Sequence, residues 1–334
     1  MVMKKNKIHY YPPMPASGIY GNPYSSNFRS ELSRYYDIIQ SRKKFPFHLP
    51  VVLLYNAFRA DVYLYNWIET FEYKNLPTFQ YWIILLGFKI IKWRKKKIIW
   101  MFHNIVPHEG VNRYSKGIRN YMFGNADLII AHSKEAADYA RQFAKNQVVY
   151  KCHPITPFSK NNFYPSHKNK DILIWGNVQS YKGIPEFLVQ LNNADLKLTC
   201  YVVGRCTDEK LEKRIKDQCN KYVSYNNVKV GFDELQKLIH ESRFVLFPYI
   251  GNSISSSGAL IDSIALGGNV VGPNVGAFKD LHEEEVCWTY NTYDELLQIL
   301  QGNQIIKENV VYDFLERNSW ASFVKDIYEM IKLL

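Results

Sequence analysis

Short apolar runs separated by longer amphipathic segments recur along the whole chain. In the first half they are Ile8–Tyr11, Val51–Tyr55, Val62–Tyr65, Ile98–Phe102, Leu128–Ala131 and Val148–Tyr150. In the second half they are Ile172–Trp175, Leu198–Val203, Val228–Val230, Phe244–Phe247, Val270–Val271 and Val286–Tyr290. Runs that are apolar on both faces are typical of strands in parallel sheets, with helices between them. The pattern predicts an α/β fold with parallel sheets.

A stretch rich in Pro, Asn, Ser and Lys separates the two halves, and 334 residues are enough for two domains. We predict an N-terminal Rossmann-like domain over 1–155, a linker over 156–170 and a C-terminal Rossmann-like domain over 171–316. A last helix, 317–334, could return to the N-terminal domain. Two doubly wound domains are expected to face a cleft at the carboxyl ends of their strands, so the loops that follow strands are expected to carry function.

Composition excludes wholesale disorder, because 47% of the residues are apolar and only 22% are charged. The net charge of +11 is distributed unevenly. Residues 1–160 contain 24 Lys and Arg against 9 Asp and Glu, whereas 161–334 contain 18 against 22. A basic first half favours a partner that carries phosphate groups, either nucleic acid or anionic lipid.

Cysteine usage and the N-terminus indicate a cytoplasmic protein. The five cysteines show no metal-ligand spacing, which favours reduced thiols. The basic N-terminus runs into a segment with no signal-peptide core. The most apolar stretch, Phe79–Ile91, contains Gln80 and Lys89 and is shorter than the roughly 20 residues that span a bilayer. No transmembrane helix is predicted.

The same apolar stretch predicts contact with a membrane surface. It leads directly into Lys92-Trp93-Arg94-Lys95-Lys96-Lys97. An apolar helix that ends in a cationic cluster is typical of proteins that lie on an anionic leaflet, here the inner face of the cell membrane. Packing of the helix against its own sheet would produce much of the same pattern.

The loop after Ile172–Trp175 could hold an anion. Gly176 and Asn177 leave the expected strand, and Lys182 and Gly183 precede an expected helix. A lysine at a helix start can serve as a point charge for phosphate, although an ordinary surface lysine would look the same. The loop is neither G-x-G-x-x-G nor a P-loop, which argues against NAD-dependent and Walker-type chemistry.

A second candidate loop follows Phe247. It is rich in Ser, Gly and Asn, and a helix is expected to begin near Ser257, between Ser256 and Gly258. Free amide donors at such a start suit a diphosphate, whereas simple serine capping is the alternative. We favour the anion site because three serines in a row exceed what a cap needs.

In the first half, His103, His108 and Glu109 lie on a loop after a buried run. Imidazole and carboxylate groups could bind zinc, but a loop interrupted by proline lacks helical ligand spacing. Hydrogen bonding to a polar substrate is the preferred interpretation, and loop capping is the alternative. We predict no metal site.

Together these motifs resemble the GT-B glycosyltransferases of the large family 4 type. Gly176 with Tyr181–Ile184, and Ser257–Asp262 followed by Val270–Gly276, resemble the donor-binding domain. His103–Glu109 and Ala126–Ser133 are similar to the acceptor-side domain of bacterial surface-polysaccharide glycosyltransferases. The resemblance covers nearly the whole chain.

Two positions depart from the family pattern. Asn177 stands where the family usually has Arg, which leaves Lys182 as the main cationic ligand of the diphosphate. Asp262 aligns with the later of two family glutamates, and Ile254 then stands at the earlier one. The carboxylate expected to face the donor sugar is therefore missing.

The resemblance implies transfer of a sugar, hexosyl in type (EC 2.4), from a nucleotide diphosphate sugar to a lipid-linked or saccharide acceptor, with no cofactor. Implied donor-binding residues are Gly176, Asn177, Lys182, Gly183, Ser256, Ser257, Gly258, Asp262, Asp233 and Glu234. Implied acceptor-binding residues, in the long loop after Ile8–Tyr11, are Ser17, Gly18, Tyr20 and Asn22. Implied catalytic residues are His103, Lys182, His108 and Glu109.

Two other functions remain as alternatives. A basic, aromatic chain could bind nucleic acid, but it has no RRM, KH or helix-turn-helix signature, so no nucleic-acid partner is expected. A GT-B-fold epimerase or phosphorylase would share the same phosphate-binding loops.

Overall fold

The structure, a computed structural model, describes residues 5–14, 22–39, 48–70, 76–105, 112–155, 168–251 and 257–334. The chain divides into two compact units, one of Met1–Cys152 with Trp320–Leu334 and one of His153–Ser319. Each unit is built on a parallel sheet that has six strands among the described residues. The predicted linker, 156–170, lies outside the described residues except for its last three.

The first unit holds the sheet of order β2-β1-β3-β4-β5-β6. Its strands are β1 (Lys7–Tyr11), β2 (Asp37–Ile38), β3 (Val62–Asn66), β4 (Lys97–Phe102), β5 (Leu128–Ala131) and β6 (Gln147–Tyr150). The helices between them are α1 (Pro23–Leu32), α2 (His48–Asn56), α3 (Pro77–Trp93), α4 (Arg113–Asn125) and α5 (Lys134–Arg141), with a short 3₁₀ helix at Ile68–Thr70.

The second unit holds the sheet of order β12-β11-β10-β7-β8-β9. Its strands are β7 (Lys170–Trp175), β8 (Cys200–Val203), β9 (Val223–Asn226), β10 (Ser242–Leu246), β11 (Val270–Pro273) and β12 (Trp288–Tyr290). Its helices are α6 (Ile184–Asn193), α7 (Glu209–Lys216), α8 (Phe232–His240), α9 (Gly258–Ala265), α10 (Gly276–Glu283), α11 (Tyr293–Gln301) and α12 (Glu308–Arg317).

The first sheet is buried on both faces. Alternate side chains of a strand point to opposite faces. On β4, Trp100 and Phe102 join one apolar cluster, whereas Ile99 and Met101 join another. Two buried faces explain why the strand runs are continuously apolar.

The last helix of the chain, α13 (Trp320–Leu333), completes the second of these clusters. Phe323 and Ile327 are buried there, and the ring of Phe323 lies 5.4 Å from that of Phe28 in α1. Lys97 Nζ donates a hydrogen bond to the backbone oxygen of Leu334 at 2.5 Å. The helix begins at Trp320 rather than at residue 317, because Arg317 still ends α12.

The prediction of an α/β fold with parallel sheets is confirmed, and ten of the twelve apolar runs coincide with strands. Two runs are wrong. Val51–Tyr55 lies in α2 with only Leu53 fully buried, because a five-residue apolar run fits a helix with one buried face equally well. Val228–Val230 lies outside every described strand, and the preceding segment Val223–Asn226 takes the edge position beside β8.

None of the helices in the described segments is both long and apolar enough to cross a bilayer.

We expect Ile327→Ala to destabilise the first unit by about 2–5 kcal/mol, because it removes a fully buried side chain and leaves a cavity. Urea unfolding followed by tryptophan fluorescence measures this, since five of the seven tryptophans belong to that unit. Lys325→Ala, on the exposed face of the same helix, is the matched control. Equal stability of the two variants would contradict the packing of α13.

Candidate functional site

The strand order of the second sheet places a switch point between β7 and β10. From β7 the chain continues through β8 and β9 on one side, whereas β10, β11 and β12 extend the other side. Ligands of doubly wound sheets bind where the order reverses, at the carboxyl ends of the strands. Gly176 follows β7 there, and Pro248 and Tyr249 follow β10.

Glycines let the loops at this point approach one another closely. Gly176 and Gly183 have φ of +98° and +62°, in the left-handed region that favours glycine. A Cβ atom at Gly183 would collide with the carbonyl oxygen of Pro248. Ile250 N–H also donates to Tyr181 O at 2.9 Å, which joins the β7 loop to the β10 loop.

Lys182 ends a short 3₁₀ helix in this loop and is only 6% exposed. Its Nζ lies 3.2 Å from the position that a Cβ of Gly176 would take, and 5.6 Å from the ring centre of Tyr249. No carboxylate of the described residues forms an ion pair with it. Burial therefore lowers the pKa of Lys182 to about 8.

The first turn of α9 lies beside this lysine. Ser257 caps the helix, its Oγ accepting from Leu260 N–H at 3.4 Å, and Ala259 Cβ lies 3.9 Å from the Cβ position of Gly176. Trp175 Nε1 donates to Ser263 Oγ at 2.8 Å, which fixes α9 against the end of β7. The serine cap therefore accounts for the Leu260 N–H of the helix start.

The structure brings Gly176, Lys182, Gly183 and Ser257 close to one another, and Gly258 follows Ser257 as the first residue of α9. Asn177 is exposed on the same loop. The remaining donor-site residues lie elsewhere or further along: Asp262 is half-buried one turn into α9, Asp233 and Glu234 are exposed in the first turn of α8, and Ser256 is outside the described residues.

The first sheet has its switch point between β1 and β3. Asn66, at the end of β3, donates from Nδ2 to Tyr11 O at 2.9 Å. Its Oδ1 then faces His103 Nε2 at 3.3 Å, and because an amide oxygen only accepts, Nε2–H donates this hydrogen bond. Trp67 has a φ of +51° and stacks on His103, with ring centres 4.2 Å apart.

Sequence reasoning missed three residues around His103: Trp67, Tyr24 and His132. Tyr24 lies edge-on to His103 at 5.2 Å. Its hydroxyl, whose pKa burial raises well above the usual value, donates to His132 Nε2 at 2.8 Å, because His132 Nδ1 donates to Lys151 O. Trp67 directly follows β3 and His132 directly follows β5. Their position at the carboxyl ends of strands is the sequence feature that could have identified them.

Most of the other predicted residues of the first unit cannot be placed in the fold. Ser17, Gly18, Tyr20, His108 and Glu109 lie outside the described residues. Asn22 caps α1, since its Oδ1 accepts from Tyr24 N–H at 3.0 Å. Within the described segments, no three candidate metal ligands form a group.

A buried polar pair supports the loops that carry Trp67 and His103. Glu69 accepts from Trp100 Nε1 at 3.0 Å, and burial raises its pKa to about 7. Arg119, also buried, donates to Ile105 O at 2.6 Å and lies over the Phe102 ring. These two groups hold the loop after β3 and the loop after β4 from inside the core.

Comparison with known proteins identifies the fold. No family model and no curated protein sequence matches the chain. A glycosyltransferase from Rickettsia africae ESF-5 is similar over 98% of this chain and 99% of its own, with 14% identity and a TM-score of 0.63. The lipopolysaccharide outer core galactosyltransferase WaaB is similar over 99% of this chain and 100% of its own, with 13% identity and a TM-score of 0.63.

A third similar structure is a mutant of S. aureus TarM in complex with fondaparinux, alpha-GlcNAc-glycerol and UDP. It matches over 70% of this chain with 12% identity and a TM-score of 0.51, and this chain spans 50% of the length of TarM. The chain has the GT-B glycosyltransferase fold, which confirms the fold expected from the sequence resemblance.

Glu69→Gln is expected to change how stability depends on pH. The pKa of Glu69 is about 7 in the folded state, above the unfolded value, so the wild type loses stability as pH rises from about 4.5 to 7. The loss is about 3 kcal/mol at most. Glutamine keeps the hydrogen bond with Trp100 but cannot ionise.

Urea unfolding at pH 5 and pH 8 measures the effect. The variant should gain stability relative to the wild type at pH 8, with little difference at pH 5. A difference that does not change with pH would show that Glu69 is ionised in the folded protein and would refute the assignment.

Proposed function

We propose that the chain transfers a hexosyl group from a nucleotide diphosphate sugar to a lipid-linked or saccharide acceptor in cell-surface polysaccharide synthesis. The observation that carries the proposal is the buried ammonium of Lys182 at the start of α9, with no carboxylate paired to it among the described residues. A site of this kind suits a diphosphate. TarM, which has a similar fold, was solved with UDP.

The reaction breaks the bond between the anomeric carbon and the diphosphate oxygen, and forms one to the acceptor hydroxyl oxygen, whose proton is released. Negative charge grows on the leaving diphosphate. Lys182 and the amides near Ser256, Ser257 and Gly258 would stabilise that charge in a water-poor site, where such electrostatic effects are large. This route needs no metal ion.

On the other unit, His103 would contact the donor sugar or the reacting hydroxyl. Support comes from the Asn66 hydrogen bond and the stacked Trp67, which together fix the orientation of the imidazole. His108 and Glu109 are alternatives for acid and base catalysis or acceptor binding. Asp233 and Glu234 would contact the base or ribose, Asp262 the donor, and the loop with Ser17, Gly18 and Tyr20 the acceptor.

Lys182→Ala should weaken UDP binding by about 10-fold to 100-fold and lower turnover strongly, because it removes a charge-assisted contact to phosphate. For the wild type, UDP affinity should fall by up to about tenfold per pH unit above pH 8, since the free lysine loses its proton there. Isothermal titration in buffers of different ionisation enthalpy should detect proton uptake on binding above that pH.

Two variants serve as controls for this experiment. Lys182→Arg stays charged throughout and should remove the fall in affinity above pH 8. Lys210→Ala, at an exposed site in α7, should bind UDP as the wild type does. If Lys182→Ala bound UDP, GDP and other nucleoside diphosphates as tightly as the wild type does, the assignment of Lys182 to the donor site would be refuted.

His103→Ala should lower kcat by about 10²-fold or more while leaving UDP affinity unchanged, because His103 and the UDP site belong to different units. Turnover is measured as free nucleotide released from a nucleotide sugar in the presence of acceptor. Release that does not require acceptor would favour an epimerase or phosphorylase. A parallel loss of UDP affinity would contradict the assignment of His103.

A further inference from the structure

Helix α3 exposes large apolar side chains along one stripe. Phe79, Trp82, Leu86 and Trp93 are between 48% and 79% exposed. Their spacing of three, four and seven residues places them on one face of the helix. The opposite face, with Ile84, Phe88 and Ile91, is buried against the sheet. The protein core therefore holds α3 in place while the stripe faces outward.

Helix α2 and the turn that follows it continue this exposed surface. Val51, Tyr55 and Phe58 are between 50% and 61% exposed. The two helices meet at Gly87, where a Cβ would lie 3.7 Å from Leu54 Cα, and Leu54 is one turn from Val51 and from Phe58. The two stripes flank the same helix contact. We call them together the aromatic face, made of Val51, Tyr55, Phe58, Phe79, Trp82, Leu86 and Trp93.

Most cations of the sequence-predicted cluster already have partners within the protein. Lys92 pairs with Asp127 at 2.8 Å and Lys96 with Asp61 at 2.7 Å. Backbone oxygens accept from Arg94 and Lys97. Lys95 is the exposed member of the cluster, and Lys89 lies on the exposed side of α3 itself. The charge next to the aromatic face thus comes from fewer cations than the sequence suggests.

Carboxylates are missing from the helices that form and border this face. The segments α2, α3 and α4, the last packed against α3, contain no Asp or Glu. A second copy of the chain seated on the aromatic face would place Lys89 and Lys95 near like charges, and these three described helices offer them no acidic partner, which is unfavourable in a symmetric interface. An anionic partner into which tryptophan and phenylalanine side chains can insert fits both the apolar side chains and the positive charge of this face.

We propose that the aromatic face docks on an anionic lipid bilayer, with α3 lying in the plane of the headgroups. A helix of 17 residues is about 26 Å long, and amphipathic helices bind this way through apolar insertion and cations at the surface. Tryptophan prefers this interface because its ring is apolar and its N–H is polar. Docking on a bilayer would bring the enzyme to a lipid-linked acceptor. This link between docking and acceptor rests on the proposed function.

Flotation with vesicles of phosphatidylcholine and phosphatidylglycerol in equal amounts tests the proposal. The full chain should float with these vesicles and much less with phosphatidylcholine alone. The triple variant Phe79→Ser/Trp82→Ser/Trp93→Ser should bind at least about tenfold more weakly, since three inserting side chains are lost. Lys89→Glu/Lys95→Glu should lose about fivefold per charge.

Controls separate docking from folding and from donor binding. Ile305→Ser removes an equally exposed apolar side chain from the second unit and should float like the wild type. The triple variant should keep the wild-type melting temperature and UDP affinity. Flotation needs no turnover. A failure of the docking proposal can therefore be told apart from a failure of the proposed glycosyltransferase function.

Three results would overturn the docking. The first is wild-type protein that does not bind anionic vesicles. The second is a triple variant that binds as well as the wild type. The third is a dimer in light scattering that the triple variant abolishes, which would assign the aromatic face to a second copy of the chain. Retention of an oligonucleotide by Lys89 and Lys95 in place of vesicles would indicate nucleic acid instead.

Discussion

The burial of one ammonium group, that of Lys182, is the constraint on which the candidate site of the second unit depends. Lowering a lysine pKa from 10.5 to about 8 corresponds to about 3 kcal/mol of unfavourable desolvation in the charged state. Strongly shifted pKa values of this kind cluster at functional sites. The start of α9 and two glycines in left-handed conformations, Gly176 and Gly183, lie around the group.

The first unit differs from the second in its charge, since it has an excess of cations rather than one isolated cation. Asp127 binds Lys92 in the last turn of α3, Asp61 binds Lys96 just after the helix, and backbone oxygens bind two more cations. Much of the positive charge therefore stabilises the end of α3 against the sheet. The apolar side chains of that helix, rather than its charge, distinguish its outer surface.

Much of the fold could be predicted from the sequence, because strands buried on both faces of a parallel sheet are continuously apolar. The exceptions follow from the same physics. Val51–Tyr55 is as apolar as a strand, yet it forms a helix that buries Leu53 and exposes Val51. Within the candidate site, Gly176 directly follows β7 and Ser257 caps α9, so both stand at positions that the sequence pattern marks, whereas Lys182 ends a short 3₁₀ helix in the loop between β7 and α6.

The sequence by itself determined the alternation of strands and helices, the loops rich in Gly and Ser after two strands and the uneven charge, since these depend on residue type and local spacing. Only the tertiary structure decided which groups meet. Strand order brings Gly176 beside Lys182 and α9, and brings Trp67, Tyr24 and His132 around His103. Pairing between residues distant in the chain leaves no local pattern, so burial, counter-charges and hydrogen-bond partners are fixed only when the sheets assemble.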